Sequence, residues 1–431
     1  MHNKSSYIYS RRLSFLSSIK HSSGISLILV GQPIGWAIRD LSGQANNQLF
    51  SFALMFIGLI LLVYTPNLTS TIVKFPFLIF CKKSFFYPLS FLIPSLFAAF
   101  HTNLPGDIEP LYISFVICFL VALETVPSYR IHSLPQNILI ISFSGCLLSI
   151  YLILLFGTEL SGQRLELGNT NSPGPVAMMS ATAIISGFFC LNSFNNTGRI
   201  FYKLLLYLTI LMASFVFFIT LKRSTLIGLL LCILVPIIKA LLSFISLPKK
   251  QNRYNYNFKK KSLFKIILPI IIICISVYVL RDYLPNNIKS LIDILYNYIE
   301  RLFDYFWRGL ESLIYGTGNE QSAATRRINL QKAFAEWTIQ GNGYKSLYVD
   351  APVVQAFYDG GIIGGTVFFL VAFIIPTCHV FYIFFNIKNP NTIKVFCSYI
   401  YLLYFPSLFS NGQPYEFFMW LRIVLLYRVL Y

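Results

Sequence analysis

The sequence predicts an all-α fold, a polytopic bundle of membrane-spanning helices. The first observation is composition: 56% of the 431 residues are hydrophobic and 12% are charged, whereas soluble domains average about 25% charged residues. The second is the recurrence of apolar runs of roughly 17 to 24 residues, the length of helix that crosses about 30 Å of hydrocarbon. A helix satisfies its backbone hydrogen bonds internally, as hydrocarbon requires. We therefore predict a single integral membrane domain over residues 1–431.

The apolar runs predict about twelve spans. Gly31, Pro33 and Gly35 interrupt the first span, and the last span is short. Residues 71–80 are too few to cross the bilayer and are predicted to lie at its interface. In chain order, the predicted spans are Ser23–Ile38, Leu49–Tyr64, Phe85–Phe100, Leu111–Val126, Ile138–Phe156, Pro175–Leu191, Ile200–Leu221, Thr225–Leu247, Leu263–Leu280, Ile362–Phe385, Thr392–Leu408 and Phe417–Leu430.

The placement of basic residues predicts the orientation of the bundle. With the amino terminus in the cytoplasm, short basic loops such as residues 248–262 fall on the cytoplasmic side, as the positive-inside rule requires. Both termini are then cytoplasmic. This topology accounts for the net charge of +18. Because the basic residues lie in short loops between spans and the topology already accounts for their charge, we expect no nucleic-acid partner.

One long extramembrane segment, residues 281–361, separates the ninth and tenth predicted spans on the outer face. A loop of this length in a compact membrane protein is usually functional. Its first half has helical periodicity and is predicted to lie on the membrane surface or to cap the bundle. A second helix is predicted from about Ala323 to Ile339, ended by "GNG" at 341–343. Arg326 and Arg327 lie in its first turns, where exposed N–H groups favour an anion.

Two other outer segments also carry basic side chains. Arg164 lies in the loop between the fifth and sixth spans, and Lys222 and Arg223 lie at the tight junction of the seventh and eighth. Arginine at a membrane boundary is costly unless it is paired or snorkels, so each such residue is a functional candidate. Three outer elements thus present arginine on the side where positive charge is disfavoured. This pattern predicts a shared anion-binding site.

Simpler interpretations stay open for the individual residues. Arg326 and Arg327 could bind lipid headgroups, and the basic pair at the junction of the seventh and eighth spans could snorkel. Arg164 could form a surface ion pair with a nearby glutamate. Asp350 is followed closely by a proline and has the chemistry of a helix N-cap. The four glycines within residues 360–365 are typical of close helix packing.

Three features together resemble the superfamily of O-antigen polymerases (Wzy) and O-antigen ligases (WaaL). They are the arginine loop at 162–175, the helix start "KRSTLIGLLL", and the outer-loop stretch "TRRINLQKAFAEW…GNGYKSLYVDAPVVQAFYDGGIIGGTVFF". The resemblance covers about residues 150–385. It implies a membrane-embedded glycosyltransferase of the C-type (GT-C) architecture with a large helical periplasmic loop. Such an enzyme is metal-independent, uses no cofactor, and acts at the periplasmic face of the bacterial inner membrane on sugars linked to undecaprenyl diphosphate.

The resemblance also assigns roles to individual residues. Guanidinium groups would stabilise the departing diphosphate in place of a metal ion. Ligases of the superfamily carry a histidine in the outer loop, but residues 281–361 contain none, and Asp350 stands in the corresponding place. Asp350 would therefore orient or deprotonate the acceptor, and Tyr344 and Tyr348 could stack on sugar rings. The residues expected to hold the diphosphate are Arg164, Arg223, Arg326 and Arg327, of which Arg223 and Arg326 are also expected to be catalytic.

The missing histidine favours a polymerase over a ligase. A repeat-unit polymerase would transfer the growing glycan from undecaprenyl diphosphate onto a new lipid-linked repeat unit. The expected partners are the lipid-linked donor and acceptor, membrane lipids, and a chain-length regulator of the Wzz type. The alternatives are a ligase that transfers glycan to lipid A core, and a flippase for lipid-linked oligosaccharides. A flippase is disfavoured because it should have two six-span halves with short outer loops.

Overall fold

The structure is a computed structural model. It describes residues 20–43, 48–63, 83–100, 109–124, 131, 133–156, 173–193, 200–220, 222–245, 300, 304, 307, 321–344, 346–386, 391–410 and 412–430. The chain divides into two units, residues 1–239 together with 328–431 and residues 240–327. Most described residues belong to the first unit. The predicted span Leu263–Leu280 and the loop that carries Arg164 lie outside the described residues.

Every regular element within the described residues is a helix. The helices up to the long loop are α1 (residues 20–30), α2 (Gln32–Leu41), α3 (Gln48–Val63), α4 (Lys83–Phe100), α5 (Glu109–Glu124), α6 (Leu134–Phe156), α7 (Pro173–Ser193), α8 (Ile200–Thr220) and α9 (Arg223–Ile245). Those that follow are α10 (Gln321–Ala335), α11 (Pro352–Phe368), α12 (Ile375–Phe381), α13 (Thr392–Tyr404), α14 (Ser407–Ser410) and α15 (Phe417–Leu430). Two π-helical turns, Phe369–Ile374 and Tyr382–Asn386, flank α12 and continue α11.

Five of these helical segments are long and apolar enough to cross a membrane. They are Lys83–Phe100, Leu134–Leu152, Gly174–Leu191, Pro352–Phe385 and Thr392–Ser410. Shorter apolar helices cover Phe52–Leu62, Glu109–Leu123 and Lys203–Phe217. The predicted all-helical fold is therefore confirmed for the described residues, and these apolar helices support membrane character. The count of about twelve spans and the C-type architecture stay predictions.

The first predicted span is divided into two helices at Gly31, one of the residues predicted to interrupt it. Residues 20–30 and Gln32–Leu41 are helical, and Gly31 lies between them. A Cβ atom on Gly31 would overlap the carbonyl oxygen of Leu27. Nearby, a Cβ on Gly24 would lie 2.8 Å from the carbonyl oxygen of Gly58. Small residues thus allow α1 and α3 to approach closely, as they do in membrane helix pairs.

The shortest predicted span, α15, is largely buried within the first unit. It packs against α4, α5, α12 and α13, and all of its residues from Met419 to Tyr427 are buried. The Tyr427 hydroxyl donates to the carbonyl of Val371, 2.8 Å away, in the π-helical turn after α11. A π turn leaves backbone carbonyls without their usual partners, so this tyrosine compensates for the irregular geometry.

The tenth predicted span begins earlier than its hydrophobic pattern indicates. The pattern predicts a start at Ile362, whereas α11 begins at Pro352 and is broken at Gly361, which has φ 62° and ψ −157°. Residues 352–361 are therefore helical and not part of an extended outer loop. The second loop helix also differs from its prediction: α10 ends at Ala335, and residues 336–344 and 346–351 are irregular.

Candidate functional site

A short loop, residues 412–416, connects α14 to α15 in the first unit. Asp350 binds its first residue: Oδ1 accepts from the backbone N–H of Gly412 at 2.8 Å and from the Tyr348 hydroxyl at 3.1 Å. Near the other end of the loop, the Tyr415 hydroxyl donates to Oδ2 of Asp359. Two aspartates that flank the first helical turns of α11 therefore fix the loop at two points.

Asp350 has a strained backbone. Among the described residues, it is the one non-glycine residue with a positive φ, 54°. Such a conformation costs about 1–3 kcal/mol and is often found at functional sites. The interpretation of Asp350 as an N-cap is wrong, because Ala351 occupies the cap position and no side chain caps the helix. The carboxylate instead points to the 412–416 loop, and its bond to Gly412 offsets part of the strain.

Asp359 is the centre of a buried hydrogen-bond network. Its side chain is 8% exposed, and Oδ1 accepts from Nε2 of Gln355 at 2.6 Å. Gln355 is fully buried and also accepts from the backbone N–H of Val349 at 2.8 Å. Burial, followed by the charge of Asp359, raises the pKa of Tyr415 well above its ordinary value, so the phenol remains a donor. The network ties the segment before α11 to the loop before α15.

Glu416 is the second carboxylate at the Asp350 end of this loop. A Cβ atom on Gly412 would lie 2.5 Å from Oε1 of Glu416, so the carboxyl group lies against the backbone that binds Asp350. The Tyr404 hydroxyl donates to Oε2 at 3.1 Å. Burial raises the pKa of Glu416, the charge of Asp350 raises it further, and the Tyr404 hydrogen bond and the charge of Lys222 oppose the rise.

Two cations accompany the carboxylates. Lys222 immediately precedes α9 and is near enough to lower the pKa of Glu416. Arg422 in α15 is 3% exposed, and its guanidinium carbon lies 4.8 Å from the centre of the Tyr404 ring. The α9 helix reaches this region because Gly228 has no side chain: a Cβ there would overlap the carbonyl oxygen of Leu403. Close contact between α9 and α13 thus brings Lys222 beside residues that follow it by almost 200 positions.

The arrangement combines acid–base groups with positive charge. Asp350 and Glu416 differ in environment, because Glu416 is held toward its protonated form by burial and Asp350 accepts two hydrogen bonds through one oxygen. A pair of carboxyl groups in unlike environments is suited to accept and release a proton. Lys222 and the N-terminal end of α9 can stabilise a developing anion beside them.

The predicted site residues have different positions in the structure. Asp350 lies in the cluster, and Arg223 is the half-buried first residue of α9, next to Lys222. Arg164 lies outside the described residues. Arg326 and Arg327 fall within residues 240–327, the second unit. The convergence of the arginines on one anion therefore stays a prediction.

The two tyrosines expected to contact sugar differ in accessibility. Tyr344 is 4% exposed, and its ring centre lies 4.3 Å from that of Tyr415. Its faces are used for packing inside the protein. Tyr348 is 51% exposed and hydrogen-bonded to Asp350. Of the two, Tyr348 has the accessible ring beside the carboxylate.

The sequence interpretation did not include Glu416, Asp359 or Gln355 among the site residues. One signal was present for Glu416, which is an acidic residue between the apolar runs of the last two predicted spans. Acidic residues at membrane boundaries are costly and are functional candidates for that reason. Asp359 directly precedes a glycine pair, but no local pattern indicates that Tyr415 binds it.

Within the described part of the chain, no group of three or more His, Cys, Asp or Glu side chains is placed to hold a metal ion. Metal independence stays a prediction that a direct assay must test.

No family model, no curated protein and no solved structure matches this chain. The likeness to O-antigen polymerases therefore depends on the sequence motifs alone.

Proposed function

We propose that this protein is a metal-independent membrane glycosyltransferase that polymerises glycan repeat units carried on undecaprenyl diphosphate. The observation that carries the proposal is the cluster of Asp350, Glu416 and Lys222 in the first unit. Its three elements are the start of α9, the start of α11 and the loop before α15. Each of them lies on the outer side of the membrane in the predicted topology.

In the proposed reaction, a hydroxyl group of the acceptor repeat attacks the anomeric carbon of the donor glycan. A new C–O bond forms, the bond from the anomeric carbon to the diphosphate oxygen breaks, and undecaprenyl diphosphate leaves with the electron pair. The proton of the hydroxyl group passes to the carboxylate of Asp350. Asp350 suits this role because its oxygen is already fixed by Gly412 and Tyr348, and a fixed acceptor needs no reorganisation during the reaction.

The leaving diphosphate requires positive charge. Lys222 and Arg223 stand at the N-terminal end of α9, where backbone N–H groups already favour an anion. Outside the cytoplasm no nucleotide sugar is present, so a lipid diphosphate is the chemically reasonable activated donor. The resemblance adds Arg164, Arg326 and Arg327 to the residues that would contact it.

The test is extension of a defined undecaprenyl-diphosphate repeat unit by the purified full-length protein in the presence of a metal chelator. We expect lipid-linked oligomers from the wild type and none from Asp350→Asn. The asparagine still accepts hydrogen bonds and tolerates positive φ, so the fold is kept while the base is removed. The matched control is Glu336→Gln, which alters an exposed carboxylate of the same unit and should extend normally.

A second pair of variants tests the cation. Arg223→Ala should abolish long products, and Arg223→Lys should restore them poorly, because a lysine cannot form the planar two-point contact that a guanidinium forms with phosphate. Failure of the wild type to extend any lipid-linked repeat would overturn the proposed function. Normal extension by Asp350→Asn would refute the role of that residue alone.

A further inference from the structure

Five large apolar side chains are exposed next to one another near the start of the long apolar segment. Their exposed fractions are 72% for Phe334, 40% for Trp337, 69% for Ile339, 49% for Ile362 and 77% for Ile363. We call these five residues the apolar patch. Soluble surfaces rarely keep so many large apolar side chains together, so the patch requires a partner.

The first three residues of the patch are tied to the helix that carries the last two. The carbonyl oxygen of Ile339 accepts from the backbone N–H of Ile362 at 3.0 Å. The indole N–H of Trp337 donates to the carbonyl of Phe357 at 3.1 Å. Gly341 and Gly361 make the approach possible, because a Cβ on either would overlap the backbone of the other segment. Residues 334–339 therefore lie at the level of residues 357–362 of α11.

The length of the apolar segment would place that level at the edge of the hydrocarbon layer. The 24 residues 362–385 follow the break at Gly361 and end the apolar segment Pro352–Phe385. At 1.5 Å per residue they extend about 36 Å, slightly more than the roughly 30 Å of hydrocarbon. Ile362 and Ile363 then stand where hydrocarbon meets headgroups. The patch also continues into the bilayer, because Leu370, seven residues after Ile363 and on the same helix face, is 44% exposed.

The opposite side of the same segment is polar or already packed. Lys332 and Glu336 form an exposed ion pair at 3.9 Å. Ala333 is buried with Val349 and Tyr358 in a separate small core. The segment thus has one exposed apolar side and one charged side, and its tryptophan N–H has a hydrogen-bond partner. These features are typical of a segment at the membrane interface.

We propose that the apolar patch inserts into the outer boundary of the bilayer, with lipid acyl chains and headgroups as its partner. Insertion would fix the height of the 339–343 turn relative to the membrane. Because Gly343 donates to the carbonyl of Asp359, the same anchor would hold the Asp359 network at a set depth. The inference depends on the patch alone and is independent of the proposed reaction.

The experiment measures tryptophan fluorescence of the full-length protein in phosphatidylcholine vesicles whose acyl chains are brominated near the headgroup or near the chain ends. The difference between wild type and Trp337→Phe isolates the Trp337 signal. We expect bromine near the headgroup to remove most of that signal and bromine near the chain ends to remove little. A second probe, Ile339→Trp, adds a tryptophan at an exposed position and should be quenched in the same way.

The matched control is Lys332→Trp on the charged side of the segment. Its added fluorescence should respond to iodide in water and not to brominated lipid. The proposal is overturned if the Trp337 and Ile339→Trp signals respond to iodide but to neither lipid. It is also overturned if neither quencher acts and the protein is dimeric, because a second copy would then cover the patch.

Discussion

The two carboxyl groups of the site, those of Asp350 and Glu416, have different surroundings in the folded protein. Asp350 has a strained backbone and accepts from a main-chain N–H in a loop 62 positions later. Glu416 is half-buried, accepts a hydrogen bond from Tyr404 and lies near Lys222. Both are acidic residues next to apolar runs in the sequence. Their surroundings differ: Asp350 accepts two hydrogen bonds through one oxygen, whereas burial raises the pKa of Glu416.

Glu416 leads to a prediction about stability and pH. Burial raises its pKa in the folded state above the ordinary value, so the folded protein retains a proton that the unfolded chain has already released. The contribution of Glu416 to stability is thus fully present below the unfolded pKa and is lost as pH rises through the folded pKa. We expect the melting temperature of the wild type to fall over this range and the fall to be smaller in Glu416→Gln.

The measurement is thermal unfolding in detergent over a series of pH values. Glutamine can still accept from Tyr404, so the variant should fold. The control variant Glu336→Gln removes an exposed carboxyl group and should keep the wild-type dependence on pH. Identical pH dependence in wild type and Glu416→Gln would contradict the assignment.

Among the helices, the break in α11 decides where the site residues lie. Gly361 adopts φ 62°, and its backbone lies against Ile339 and Gly341. The segment before the break carries Gln355 and Asp359, and the segment after it enters the apolar stretch. The interpretation of the glycine cluster as close packing holds for Gly365, because a Cβ there would overlap the Phe357 ring. At Gly361, glycine is required because the backbone has a positive φ.

This difference predicts unequal effects of alanine at neighbouring glycines. Gly361→Ala should destabilise the protein by about 1–3 kcal/mol or more, because alanine is strained at this φ and its Cβ would overlap the carbonyl oxygen of Ile339. Gly360→Ala is the matched control, since the nearest atom to its Cβ would be 4.0 Å away. It should be nearly neutral or slightly stabilising. Equal melting temperatures for the two variants would show that the break is not required.

On the scale of the whole molecule, membrane orientation determines what the cluster can act on. Between Ser346 and Thr392 the chain contains one candidate membrane span, the apolar segment Pro352–Phe385. Both residues are exposed, and they lie at opposite ends of that segment. The positive-inside rule predicts that Ser346 faces the periplasm and Thr392 the cytoplasm.

Cysteine labelling tests this orientation. In cells with a permeable outer membrane and an intact inner membrane, Ser346→Cys should react with an impermeant maleimide. Thr392→Cys should react only after the inner membrane is opened. The wild-type protein, which has its own cysteines, supplies the background. The reverse pattern would place the Asp350 cluster in the cytoplasm and remove the reason for expecting a lipid-diphosphate donor.

Local properties of the chain were predictable from sequence. Helices and membrane character follow from the length and composition of apolar runs, and the breaks at Gly31 and Gly361 coincide with glycines. The least accurate boundary was the start of α11, where residues 352–361 are polar enough to resemble a loop but are helical because Gln355 and Asp359 find buried partners. Hydrophobic pattern alone does not reveal such a compensation.

By itself the sequence determined the class of the fold, the interruption of the first span near Gly31, and Asp350 as a residue to examine, because these properties depend on neighbours within a few turns. The tertiary structure decided which carboxylates and cations share a site. Asp350 binds Gly412, Asp359 binds Tyr415, and Lys222 lies near enough to Glu416 to lower its pKa, although these residues are far apart in the chain. Such contacts depend on packing between distant segments, and no periodicity in the chain encodes them.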